Sequence, residues 1–205
     1  MAVTPNYSWP VPVATDYVKD GWEAISDLGN AIDTTVAGLG SGGLTKIATN
    51  TLSNSANCVF TSLTAGARYR IVGRVIGTSS AQALLGRFRE NTTDKTTGYV
   101  SVEYGTVNGS SGFYNINTTI LTFGQIGTQA TNKLLFFNSD LYIHSDGTAA
   151  YLVGQSVGAD SASANSPRYI NYASQNFAMS ACNGIDFYAS AGNLTGSVTL
   201  YQYED

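Results

Sequence analysis

From residue 44 onward the chain is a succession of short segments in which apolar and polar residues alternate, and this pattern restricts its fold more than any other feature. In the clearest segment, residues 67–77 (ARYRIVGRVIG), Tyr69, Ile71 and Val75 alternate with arginine and valine side chains. Successive side chains of a β-strand point to opposite faces of a sheet, so this period of two indicates strands with one buried face. Nine or ten such segments predict a mainly β chain.

Turn residues, rather than helices, separate the predicted strands. The dipeptides Asn108-Gly109 and Asp146-Gly147 favour tight hairpin turns. Residues 113–124 are long enough for one strand or a bent pair, and the apolar run at residues 133–144 predicts a strand that crosses the core. With no helical crossover and no repeat of fixed period, the pattern predicts an antiparallel jelly-roll β-sandwich over residues 44–205.

Residues 1–43 have a different pattern, which predicts three pieces. Residues 1–14 contain Pro10 and Pro12, which favour an extended segment. Residues 15–37 predict one amphipathic α-helix, with Thr15 or Asp16 as its N-cap. Residues 38–43 predict a flexible, glycine-rich hinge.

The predicted helix carries a candidate self-association seam. Val18, Ile25 and Ile32 recur every seven residues, and Leu28 follows Ile25 by three. Because so short a helix is marginal alone in water, it needs a partner surface: its own β domain, further copies of itself, or another protein. The hinge favours the last two, since it separates the helix from the domain. Three parallel copies could bury a seam that one copy cannot, which predicts a homotrimer.

Three motifs follow one another near the N-terminus: Y-x-W-P-x-P, then T-D-x-V-x-x-G, then I-x-x-L-G-N-A-I-D-T. In this order they resemble the N-terminal segment of virion structural proteins of tailed bacteriophages, of the minor tail or fibre type. The C-terminal sequence GSVTLYQYED is similar to the closing strand of jelly-roll domains on phage appendages. The matching N-terminal positions are Tyr7, Trp9, Pro10, Thr15, Asp16, Val18, Gly21, Ile25, Leu28, Gly29, Asn30, Ala31, Ile32, Asp33 and Thr34.

This resemblance implies a structural component of a phage virion, assembled in the cytoplasm of a bacterial host. A tail fibre or similar appendage would bind another virion protein through residues 1–40, with Tyr7, Trp9, Pro10 and Trp22 as the candidate anchor. Its β-sandwich would form a tip that contacts a glycan or receptor on the host surface. A capsid-mounted head fibre or decoration protein is the alternative, because the anchor does not indicate where on the particle it binds.

Composition excludes several classes of partner. The formal net charge of −4 and the sequence pI near 4.8 leave no basic field for nucleic acid. No apolar run is long enough to span a membrane, and the start MAVTPNYSW lacks the features of a signal peptide. Arg68, Arg70 and Arg74 share one face of a predicted strand, which indicates a solvated face, ion pairs between subunits, or a contact with an anion or polysaccharide.

The sequence carries little chemistry of the catalytic kind. His144 is the one histidine, and Cys58 and Cys182 lie far apart, so we expect no metal, no cofactor and no nucleophilic triad, and two buried free thiols. A small polysaccharide depolymerase is the less favoured alternative. It would need paired carboxylates, and the candidates are Glu103, Asp140, Asp146 and Asp186.

Tyrosine is abundant, with 13 residues in the chain. Its apolar ring and polar hydroxyl suit a core, a subunit interface or stacking against a sugar. For a glycan contact, tyrosines must be exposed beside amide side chains on the distal part of the domain. The candidates for that contact are Tyr169, Tyr172, Asn165 and Asn108.

Overall fold

The computed structural model describes residues 2–4, 8–11, 21–38, 43–79, 82–107, 110–117, 119–126, 134–159 and 167–204. The chain divides into two compact units. One is Met1–Gly43 with Glu204–Asp205, and the other is Leu44–Tyr203.

The described residues of the N-terminal unit form a small hairpin and one helix. Strand β1 (Ala2–Val3) pairs antiparallel with β2 (Pro10–Val11), and helix α1 spans Gly21–Gly38. The predicted extended segment therefore folds back on itself, which the proline pattern alone did not indicate. Ser8 adopts a φ of 55°, and the Thr4 hydroxyl accepts a hydrogen bond from the Trp9 N–H at 3.0 Å, so the connection closes locally.

The described residues of the second unit form thirteen strands. Their bounds are β3 (Leu44–Ser55), β4 (Asn57–Phe60), β5 (Arg68–Gly77), β6 (Gln82–Glu90), β7 (Thr93–Asp94), β8 (Tyr99–Val107), β9 (Ser110–Asn117), β10 (Leu121–Ile126), β11 (Leu135–Ile143), β12 (Ala150–Ala159), β13 (Pro167–Asn176), β14 (Cys182–Ala189) and β15 (Leu194–Tyr203).

These strands form an antiparallel β-sandwich with jelly-roll pairing. The small sheet has the order β10-β6-β14-β4, with β7 beside β6, and the large sheet has the order β3-β15-β5-β11-β12-β13-β8-β9. Strands β3, β4, β5 and β6 pair with β15, β14, β11 and β10, so the first four strands pair with later ones in reverse order. This nested pairing defines a jelly roll and confirms the predicted fold class.

The large sheet continues beyond the jelly-roll strands. Strands β12, β13, β8 and β9 extend it past β11. The predicted hairpin at Asp146-Gly147 joins β11 to β12, with Gly147 at a φ of 75° and its N–H donating to the His144 carbonyl at 2.8 Å. Residues 113–124 divide between β9 and β10, which belong to different sheets, so the bent pair is the correct alternative.

The core lies between the two sheets and is rich in aromatic rings. The ring of Phe123, on β10, lies 5.1 Å from the centroids of Phe187 and Tyr172 and 5.4 Å from that of Phe137. Gly73 on β5 faces Phe137 so closely that a Cβ atom there would overlap the ring. The aromatic rings therefore fill the space between the two sheets. The opposite face of the large sheet is turned to solvent.

Candidate functional site

The outer face of the large sheet, meaning the side turned away from the small sheet, carries a row of side chains aligned across five strands. The register places Asp140 of β11 between Arg70 of β5 and Val153 of β12, and Ala173 of β13 between Val153 and Val102 of β8. Directly paired residues on one face of a sheet lie close enough for their side chains to touch. The surface is therefore built by residues distant in sequence.

The outer face exposes an unusual number of large apolar side chains. Exposed apolar side chains that gather on one face of a folded protein favour its use as a binding surface. The residues with at least about a third of their surface exposed are Val72, Val100, Val102, Tyr104, Phe136, Tyr142, Val153, Val157 and Tyr169.

A groove of about 530 Å³ opens on this face. Its apolar lining includes Val102, Val153 and Ala173. Its aromatic lining consists of Tyr142 and Tyr151, whose ring centroids lie 6.1 Å apart. Its volume lies within the range of small-molecule sites, and its lining combines apolar surface with a few polar groups. A depression of about 240 Å³ adjoins it through Asp140 and Val153, and a second of about 290 Å³ adjoins the first through Asn138 and Gln155.

A row of amide side chains lies next to the groove. Asn138, Gln155 and Asn171 are consecutive in the register across β11, β12 and β13. The Tyr169 hydroxyl lies 2.8 Å from Gln155 Oε1 and 2.9 Å from Asn171 Oδ1. Amides offer both donors and acceptors, so this row can bind hydroxyl groups of either orientation.

Two charged side chains, Arg68 and Asp140, belong to the lining of the groove. The Asp140 carboxylate accepts two hydrogen bonds from Arg70, at 2.8 and 2.7 Å, and one from the Tyr203 hydroxyl at 2.7 Å. The guanidinium of Arg68 lies over the Tyr203 ring, 4.6 Å from its centroid. Burial alone would raise the pKa of Asp140, but the hydrogen bonds from Arg70 and Tyr203 and the charges of Arg70 and Arg68 hold it below its ordinary value.

The predicted glycan contacts fall in different places. Tyr169 lies on the outer face and is 38% exposed. Tyr172 points into the core, is 3% exposed and bonds to Ser139 at 2.7 Å, so its prediction as a surface contact is wrong. The two tyrosines are three residues apart on one strand, which places them on opposite faces. Asn108 and Asn165 lie outside the described residues.

The sequence alone does not predict most of the residues of this surface. Asn138, Gln155 and the groove valines carry no motif and become neighbours only through the strand register. The even spacing of Arg68, Arg70 and Arg74 did predict a shared face, and the register places all three on the outer one.

The N-terminal unit leaves its candidate seam exposed. Ile25 is 66% exposed and Ile32 is 36% exposed, while Leu28 is half-buried. Of the candidate anchor residues, Trp22 is 73% exposed, Pro10 lies in β2, and the indole N–H of Trp9 donates to Thr35 Oγ1 at 2.9 Å. Tyr7 and Val18 lie outside the described residues, as do the predicted N-cap and residues 39–42 of the hinge.

The four carboxylates considered for hydrolysis do not share one site. Asp140 lies on the outer face, Glu103 is buried on the inner side of β8, and Asp146 belongs to the β11–β12 turn, where it bonds to Thr148 and to His144. Asp186 lies on β14 of the small sheet, beside Asp94 and Arg89.

Asp186 belongs to a buried charged cluster that the sequence did not predict. It is 3% exposed, and its Oδ2 lies 3.8 Å from an Arg89 nitrogen that is 2.9 Å from Asp94. Among the described residues, its Oδ1 has no hydrogen-bond partner. Burial and the neighbouring Asp94 charge together raise the pKa of Asp186 to about 6.

Replacing Asp186 with asparagine is expected to stabilise the protein at neutral pH. Because the pKa of this acid is higher in the folded chain than in the unfolded chain, folding takes up a proton between about pH 4 and pH 6, and the wild type loses stability as the pH rises through that window. Asp186→Asn should remove this loss, with a gain of about 1–3 kcal/mol at pH 7. Urea unfolding at pH 4, 5, 6 and 7 measures it. If the free energy of unfolding of the variant falls between pH 4 and pH 6 as steeply as that of the wild type, the expectation is wrong.

Both cysteines lie on strands of the small sheet. Cys58 and Cys182 are free and buried, and burial raises the pKa of each thiol to about 11. Across the described ranges, no group of three or more histidine, cysteine or carboxylate side chains is arranged to hold a metal ion. In the same ranges, no helix has the length and apolar character that crossing a membrane requires.

Comparison with known proteins gives one distant structural likeness to report. No protein-family model matches the chain, and no curated protein matches it. The chain is similar to the crystal structure of the galectin LEC-6 of Caenorhabditis elegans, at 12% sequence identity and a TM-score of 0.32, over 75% of this chain and 94% of that chain. A likeness at this level carries no argument about what the present chain binds.

Proposed function

We propose that this chain is a non-enzymatic structural component of a phage virion whose β-sandwich binds a glycan on the host surface. The groove on the outer face carries this proposal, because it joins an apolar and aromatic lining to a row of amides. Sugars present apolar ring faces edged by hydroxyl groups, and such a surface can contact both. The virion assignment rests on the resemblance of the N-terminal segment.

Binding by the groove is testable with a variant that fills it. Val153 is 57% exposed and lines the groove, so Val153→Glu should place a bulkier, negatively charged side chain in it. We expect at least a tenfold loss of binding to purified host surface polysaccharide, measured by biolayer interferometry.

Ile47→Glu is the matched control, because Ile47 is 49% exposed and lies on β3, an edge strand of the same sheet. Equal binding by both variants would remove the groove from the proposal. If Val153→Glu instead changes the solution mass and leaves glycan binding intact, the outer face is an interface between copies of the chain.

The N-terminal unit serves, in this proposal, as anchor and assembly element. Trp22 is among the most exposed of the large apolar side chains, and Ile25 lies near it on α1. Exposed apolar residues on a lone helix favour burial against another chain. The anchor would bind another virion protein and the seam would join three copies. Attachment to the capsid instead of the tail remains the alternative within the same class.

Ile25→Asp is expected to weaken self-association. A carboxylate in the seam must be desolvated when helices pack, and three copies would bring three like charges together. We expect the mass measured by sedimentation equilibrium at micromolar concentration to fall toward that of one chain. Ser26→Asp, which places the same charge one exposed position away, should keep the wild-type mass. An unchanged mass for Ile25→Asp would exclude α1 as the assembly element.

A further inference from the structure

The outer face of the large sheet has a charge opposite to that of the whole chain. Lys46, Arg68, Arg70 and Arg74 lie on its described strands, and Asp140 is the one carboxylate that those strands present there. Four positive charges and one negative charge give the face a net charge of +3, whereas the chain carries −4. A local field of this sign attracts anions to a protein that would otherwise repel them.

Asp140 offsets only one of these four positive charges, and its carboxylate oxygens already accept hydrogen bonds from neighbouring side chains. Both receive hydrogen bonds from Arg70, and Oδ1 also receives one from Tyr203. Arg68 forms no ion pair with another residue in the described part of the chain. Its exposed guanidinium is held on the Tyr203 ring and lines the groove, with its donor groups available to a ligand.

We infer that the groove binds a sugar acid, a glycan residue that carries a carboxylate, with Arg68 as the residue that recognises it. A guanidinium matches a carboxylate with two parallel hydrogen bonds, and a partly apolar groove strengthens such a pair. The sugar ring then lies against Tyr142 and Val153, and Gln175 at the groove wall can bind a ring hydroxyl. This inference rests on the proposed function and adds the chemical class of its ligand.

A glycan array that contains neutral glycans and glycans rich in uronic or ulosonic acids tests the inference with the full-length chain. We expect acidic glycans to bind at least tenfold more tightly than their carboxyl-reduced counterparts, and this preference to shrink as salt rises. Arg68→Gln should remove at least tenfold of the binding to the acidic glycans. Arg74→Gln is the matched control, because Arg74 is exposed on the same strand and face but does not line the groove.

The outcomes separate the inference from the proposed function. Binding to neutral glycans with no acidic preference, or binding that Arg68→Gln leaves unchanged, overturns the inference and leaves the glycan-binding function standing. A preference for phosphate-bearing glycans over carboxylate-bearing ones also overturns it. Failure to bind any glycan on the array overturns both.

Discussion

Phe123→Ala is expected to lower the free energy of unfolding by about 3–5 kcal/mol, because it empties the centre of the aromatic layer between the two sheets. The Phe123 ring is fully buried and contacts the rings of Phe137, Tyr172 and Phe187. These rings come from strands of both sheets, so the vacated space cannot close without moving the sheets together. Guanidinium unfolding followed by the β-sheet signal in far-ultraviolet circular dichroism measures the change.

Phe136→Ala is the matched control for that prediction. This substitution removes a phenylalanine ring from β11. Phe136 lies on the face opposite to Phe137 and is 50% exposed. We expect this substitution to cost less than about 1 kcal/mol. Similar losses for the two variants would mean that the assignment of inner and outer faces of the large sheet is wrong.

Under the proposed virion role, removal of residues 1–43 should abolish incorporation into the particle while leaving the sandwich folded. The unit Leu44–Tyr203 contains the whole buried aromatic layer described above, so its core does not depend on the helix for apolar side chains. We expect the thermal unfolding midpoint of the truncated chain to stay within a few degrees of the full-length value. Immunoblots of purified particles, made from a deletion strain complemented with either form, measure incorporation.

Trp22→Ala in the full-length chain is the narrower companion to the truncation. Trp22 is a candidate anchor residue, and its indole is 73% exposed. The substitution should therefore reduce incorporation without changing the fold. Normal incorporation of the chain lacking residues 1–43 would show that the sandwich itself attaches to the particle. In that case the N-terminal unit would have another role.

The alternation of apolar and polar side chains predicted the fold class, because in a strand with one buried face each position determines whether its side chain points to the core or to solvent. The segment at residues 67–77 forms β5, with Tyr69, Ile71 and Val75 buried as its period of two requires. The Asp146-Gly147 hairpin followed from turn chemistry. These features are local, so a single stretch of sequence determines each of them.

The candidate site was less predictable because it depends on register between distant strands. Asn138, Gln155 and Asn171 form a row only because β12 lies between β11 and β13, and the amide pattern within each strand gives no sign of it. Tyr172 shows a different limit: the parity rule that placed Arg68 and Arg70 on one face also separates Tyr172 from Tyr169, so the sequence itself argued against using both as contacts. The buried Asp186 cluster depends on tertiary packing alone.

The groove of the outer face carries the proposed function, and amide hydrogen exchange on the full-length chain with and without host surface polysaccharide tests that assignment most directly. We expect added protection in β5, β8, β11, β12 and β13, which line the groove, and no change in the small sheet. Protection confined to β4, β6 and β14, or to the N-terminal unit, would contradict a glycan site on the large sheet.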